Sequence, residues 1–143
     1  MSDLYDRDFY AWANEQAALL RAGRFSAADM GNIAEEIENM GRSEKRELVN
    51  GLGVLLLHLL KWQHRPYRRG KSWLVCIENA RDDLQRLLAD NPSLRAKLPE
   101  ALADSYRRAR REAFAECDLP ERAFPLECPW TFDQAMDVTF WPE

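Results

Sequence analysis

The sequence predicts an all-α fold, a helical bundle built on one long central helix spanning about residues 28–65. Three observations lead there. Leu, Ala, Glu and Arg are abundant while Val, Ile and Thr are scarce, a balance that favours helix over sheet. Chain breakers are few, six Gly and seven Pro, with most of the Pro after Pro92. In Asn32 to Pro66, Ile33, Ile37, Met40, Leu48, Leu55, Leu59 and Trp62 recur at steps of three, four or their sums, the buried stripe of a helix. Positions 33, 37, 40, 44, 51, 55, 58 and 62 stay within about 60° of arc at 100° per residue, so the run keeps phase through Gly41. As one helix it is roughly 55 Å long at 1.5 Å per residue. Gly41, Gly51 and Gly53 each weaken it by about 1 kcal/mol relative to Ala, and a break, if one occurs, belongs at Gly41-Arg42-Ser43. Glu44, Gly51 and His58 occupy stripe positions where Leu or Ile is expected.

The other elements follow in chain order. Residues 4–22 form a first helix, with Tyr5, Phe9, Trp12, Ala13, Gln16, Leu19 and Leu20 on its inward stripe and Gly23 as its C-terminal cap. Ser26 or Asp29 caps the long helix, and Pro66 stops it. Ser72 caps a third helix over 73–90, whose stripe is Trp73, Ile77, Ala80, Leu84, Leu87 and Leu88. Pro99 suits the first turn of a fourth helix, 99–117, whose stripe is Leu98, Leu102, Tyr106, Ala109, Ala113 and Cys117. In that helix the run 107–112, RRARRE, reads mostly as solvent side. Thr131 to Gln134 forms a capping box for a short last helix, about 132–137, in an aromatic tail laid over the bundle.

A chain of 143 residues is one ordinary domain, 1–143, with 46% apolar and 31% charged residues. Three cysteines without a C-x-x-C pair disfavour a disulfide framework or zinc knuckle and fit a reducing cytoplasm. The acidic N-terminal stretch lacks a signal peptide's apolar core, and the longest apolar run, Val54 to Leu60, is too short to span a bilayer. The expectation is a soluble cytoplasmic protein with no membrane association. The net charge of −4 is segregated: residues 61–111 carry thirteen Lys and Arg against six acids, and residues 112–143 one Arg against eight acids. Acidic ends folded over a basic middle account for this, and a basic face for an anionic partner is the alternative.

The blocks YDRDFYAWANEQAALLRAGRF (5–25), NIAEEIENMGRSEKREL (32–48), LLLHLLKWQHRP (55–66), SW (72–73), NPSLR (91–95) and CPWTFDQAMD (128–137) together resemble family 29 of the bacterial domains of unknown function. The resemblance covers nearly the whole chain. It implies an all-helical cytoplasmic protein found in bacteria and abundant in cyanobacteria. It brings no activity and no catalytic residues.

Two candidate sites follow from the residues themselves. Glu44 and His58 are polar groups on a buried seam and each needs a partner: a carbonyl or carboxylate for His58, and an Arg, a Lys or a wet cleft for Glu44. A metal site on the glutamates 35, 36 and 38 with His58 and His64 is disfavoured. No Glu stands three residues before either His, and Glu35 and His58 lie about 35 Å apart along one helix. The second candidate is the basic-aromatic stretch 61–73, with Trp62, Arg65, Tyr67, Arg68, Arg69 and Trp73, whose Arg and aromatic residues suit phosphates and stacked bases. No phosphate-loop, dinucleotide, nucleophile-elbow or zinc-protease motif occurs. The sequence therefore favours a non-catalytic assembly module without cofactor or metal, a homodimer through the long helix and an interaction partner for other proteins. Nucleic-acid or anionic-ligand binding through 61–73 is the first alternative, and a metal-dependent or hydrolytic enzyme using Glu44 and His58 is the second.

Overall fold

The computed structural model describes residues 3–143. Among the described residues there are six α-helices: α1 (Leu4–Arg7), α2 (Phe9–Arg21), α3 (Met30–His64), α4 (Lys71–Asp90), α5 (Leu98–Glu116) and α6 (Phe132–Met136). Short 3-10 turns lie at Phe25–Ala27, Pro66–Arg68, Pro92–Lys97 and Glu121–Ala123, and no strand is present among the described residues. The all-α class and the long central helix are as expected, and α3 runs through Gly41 without a break. The chain divides into two compact units, Met1–Ser43 and Glu44–Glu143, with α3 contributing its first part to one and the remainder to the other.

The first unit departs from the expected single helix over 4–22. Asp8, at φ −150° and ψ 86°, is extended and separates α1 from α2. Its side chain accepts from the backbone N–H of Ala11 at 3.1 Å, so this acid starts a new helix instead of continuing the first. Gly23 takes φ +75° just beyond α2, the left-handed position that glycine fills without strain. Asp29 carries the entry to α3. Its carboxylate accepts from Asn32 Nδ2 at 2.8 Å and from the indole N–H of Trp12 at 3.2 Å. Its own backbone N–H donates to Gln16 Oε1 at 2.7 Å. The hydrogen bond from Asn32 foremost holds the Asp29 carboxyl below its ordinary value. Tyr5 donates its hydroxyl to Glu36.

These polar ties leave the unit with little core. Trp12 and Gln16 are its only buried residues among those described, and Phe9, Tyr10, Phe25 and Met30 are all exposed. The expected burial of the α3 stripe fails here as well. Ile37 is 63% and Met40 68% exposed, and among the described residues the side-chain bonds from α1 and α2 reach only Glu36 of α3 and Asp29 at its entry.

The second unit holds the core. Leu48, Leu52, Leu55, Leu56, Leu59 and Leu60 of α3 are completely buried in one cluster with Ile77, Ala80, Leu84 and Leu88 of α4 and Ala101, Tyr106, Ala109 and Ala113 of α5. Each buried leucine contributes on the order of 1.5–3 kcal/mol. A Cβ placed on Gly51 would stand 2.9 Å from Leu84 Cδ2, so the glycine permits the close approach of α3 and α4. Ser72 is not the cap of α4: the helix starts two residues earlier, Gly70 is the capping position, and Ser72 sits exposed in the first turn. Thr131 does cap α6, accepting from Gln134 N at 3.1 Å.

The C-terminal tail is fastened by arginines donating to backbone carbonyls. Arg81 of α4, 3% exposed, donates to Ala135 O at 2.9 Å and Phe140 O at 2.8 Å, with its guanidinium 5.1 Å from the Trp141 ring. Arg110 of α5 donates to Phe124 O at 3.1 Å and Pro125 O at 3.0 Å and pairs with Glu121 at 3.1 Å. The phenol of Tyr106 donates to Pro125 O at 2.6 Å. Arg110 is thus only part of a solvent-facing run by sequence; its side chain turns inward onto the tail.

Gly53→Ala, where a Cβ meets nothing within 4 Å, gains up to about 1 kcal/mol in urea unfolding, while Gly51→Leu loses roughly 1–3 kcal/mol by overpacking Leu84. Arg81→Met leaves two tail carbonyls without their donor and costs about 2–4 kcal/mol by the same measurement. A midpoint unchanged from wild type would contradict the clamp.

Candidate functional site

Both candidate regions lie in the second unit. Glu44 is half-buried and receives only a long hydrogen bond, 3.4 Å, from Asn91 Nδ2. Among the described residues no Lys or Arg pairs with it, and it opens onto a cleft. That cleft, about 640 Å³ between α3 and α4, is also lined by Glu47, Asp83, Asp90 and Arg86 over a floor of Leu84 and Leu87. His58 is half-buried rather than in the core, and its Nδ1 lies 2.8 Å from Val54 O of its own helix. Fourteen residues along α3 separate the two, about 21 Å at 1.5 Å per residue, and His58 does not line the Glu44 cleft. The pair therefore forms no shared acid–base centre. Among the described residues no group of three or more His, Cys, Asp or Glu is placed to hold a metal ion.

The basic-aromatic stretch is brought together, but largely around the chain's own tail. Trp62 packs against Trp141 with ring centroids 4.8 Å apart. Arg69 donates to Trp62 O at 2.6 Å and to Pro142 O at 3.2 Å and lies over the Trp62 ring at 5.2 Å. Lys61 stands 5.1 Å over Trp73 and pairs with Glu116 at 3.4 Å. Arg65 lies 5.0 Å over Tyr67, and its Nε is buried without a hydrogen-bond partner. Tyr67 and Arg68 are exposed. Among the described residues Arg68 and Lys71 make no ion pair, while Arg69 and Lys61 are committed elsewhere.

Beside this cluster the His64 ring packs edge-on against Phe124 at 4.7 Å, and burial lowers its pKa, which keeps it neutral. Cys117 and Cys128 are not activated. Burial raises the thiols of Cys117 and Cys128, and Cys128 Sγ donates to Trp130 O at 3.3 Å.

Sequence reasoning passes over Arg81, the most completely buried charge in the chain. The signal for it is local: Arg81 sits four residues after Ile77 and three before Leu84, on the buried stripe of its helix. Among the described residues no helix is long and apolar enough to cross a membrane.

No curated protein and no solved structure matches the chain. A family model does, over residues 4–141, nearly the full length. The chain belongs to the family described as Domain of unknown function DUF29.

Proposed function

We propose that this chain is a single-domain, non-catalytic assembly module of the bacterial cytoplasm that works as a homodimer through α3. The observation that carries the reading is the exposure of Met30, Ile37 and Met40 at 51%, 63% and 68% on the first part of that helix. These three fall within about 80° of arc, so they form a continuous apolar strip, and such a strip on a helix calls for a partner. Ile33, in phase with them, is half-buried and continues the same face. The scarcity of core in the first unit supports the reading further, since covering the strip supplies the burial that this unit lacks. The other two readings draw less support. The arginines best placed for an anion hold the tail or stack on tryptophan, and Glu44 and His58 do not converge.

Light scattering across a dilution series tests the proposal. The wild type is expected at twice the chain mass of 16.7 kDa, and Ile37→Glu at the single-chain mass with unchanged helicity. Arg68→Ala leaves the mass unaltered. A wild-type monomer at every concentration overturns the reading, and loss of association in Arg68→Ala but not in Ile37→Glu moves the interface to the basic stretch.

A further inference from the structure

The last residue of α3 joins a titratable ring to a contact that its charged form disfavours. His64 meets Phe124 edge-on, with ring centroids 4.7 Å apart and 61° between the planes. Phe124 is 1% exposed and belongs to the leucine cluster of the second unit. It stands in the connection between α5 and α6, directly after the 3-10 turn Glu121–Ala123. The imidazole Nε2 is buried and has no hydrogen-bond partner. A neutral ring packs there as an aromatic group. A protonated ring carries a full charge and a donor on each nitrogen, and the buried donor finds no acceptor.

The charges around the contact offer no compensation. On α3 the flanking groups are Lys61 and Arg65, both cationic. On α5 they are Arg110 and Glu116, followed by the Cys117 thiol; on the connection they are Asp118, Glu121 and Arg122. Glu116 is paired with Lys61 at 3.4 Å and Glu121 with Arg110 at 3.1 Å, while Asp118 is exposed. Arg110 also donates from Nε to Phe124 O at 3.1 Å, which sets a cation on the very residue that the His64 ring meets. Burial alone lowers the His64 pKa, and no neighbouring acid opposes it.

We infer that His64 is an acid-sensitive latch: its neutral ring holds the connection 117–125 closed on the end of α3, and protonation releases it. In the open form the imidazole regains its ordinary value near 6.5, whereas the closed form holds it lower. The latch is therefore fully effective above about pH 6.5. Below that, opening grows by up to about tenfold per pH unit, until the closed form also takes up the proton. The shifted carboxyls, Asp29 and Asp137, titrate below 3.8 and stay outside this window. Opening uncovers Phe124 and withdraws the Phe124 and Pro125 carbonyls from Arg110 and Tyr106. The latch lies wholly within the second unit and works in a single chain, independently of the strip on α3.

Amide hydrogen exchange between pH 7 and pH 5, read as opening constants with the intrinsic exchange rate divided out, tests the latch. The Ala123 and Phe124 amides donate to Pro120 O at 2.9 Å and Glu121 O at 3.1 Å, so they report closure. Their opening constants are expected to rise up to about tenfold per pH unit below 6.5, with the Leu56 amide unaffected. In His64→Phe, which keeps an aromatic ring and cannot take the proton, the rise is expected to vanish. A flat wild-type profile, the same rise in His64→Phe, or an equal rise at Leu56 overturns the latch. The wild type supplies a check that needs no variant. The chain has two imidazoles, His58 and His64, whose ring protons are followed separately by nuclear magnetic resonance. A His64 midpoint below 6.5 is expected, and one at or above 6.5 overturns the inference.

Discussion

The apolar stripe of α3 has to be covered, and how that is done differs between the two units. From Leu48 to Leu60 six leucines reach zero exposure under α4 and α5. The cover is close because Gly51 lets Leu84 approach the α3 backbone and because α5 presents small residues, Ala101, Ala109 and Ala113, toward the cluster. In the first unit α1 and α2 are tied to α3 through Tyr5, Trp12 and Gln16, polar or edge contacts that fix position without burying much apolar surface. Hydrogen bonds exchanged with water contribute modestly, whereas buried leucines contribute heavily, so stability concentrates in the second unit.

Within that unit the segment after α5 is held in a particular way. It contains one helix of five residues and otherwise turns and extended chain, so its backbone carbonyls have few partners of their own. Arg69, Arg81 and Arg110 supply donors to them, and Trp62 and Trp141 stack beneath. Positive side chains thereby supply donors to carbonyls that strand pairing satisfies elsewhere. This accounts for the charge segregation along the sequence: the basic middle is partly an internal fastening for the acidic end, as the pair of Arg110 with Glu121 illustrates.

How much of this was legible depends on range. Helical periodicity placed α3, α4, α5 and α6 within a few residues, since each is amphipathic over several turns. The capping roles of Gly23 and Thr131 were legible because they depend on immediate neighbours. Asp8 was not: its side chain caps the very helix that the periodicity ran through, and both readings use the same residue. The stripe at Ile37 and Met40 was legible as apolar but not as uncovered, because periodicity reports which residues share a face and not whether another element reaches it. Glu44 and His58 stand out in the sequence as polar residues on an apolar stripe, yet their distance from one another and the tail's hold on Arg69 and Trp62 are tertiary facts. Arg81 was hidden for the opposite reason, since a charged residue on an inward stripe reads as an exception until its carbonyl partners are known.

On the proposed reading, the first unit lacks sufficient cover alone and gains it from a second copy. Amide hydrogen exchange at high and low protein concentration tests this most directly. The account predicts that amides of α2 and of α3 before Gly41 gain protection as concentration rises, while those of Leu52 to Leu60 stay strongly protected throughout. Concentration-independent protection in α2 and the first part of α3, equal to that of the leucine cluster, would contradict it.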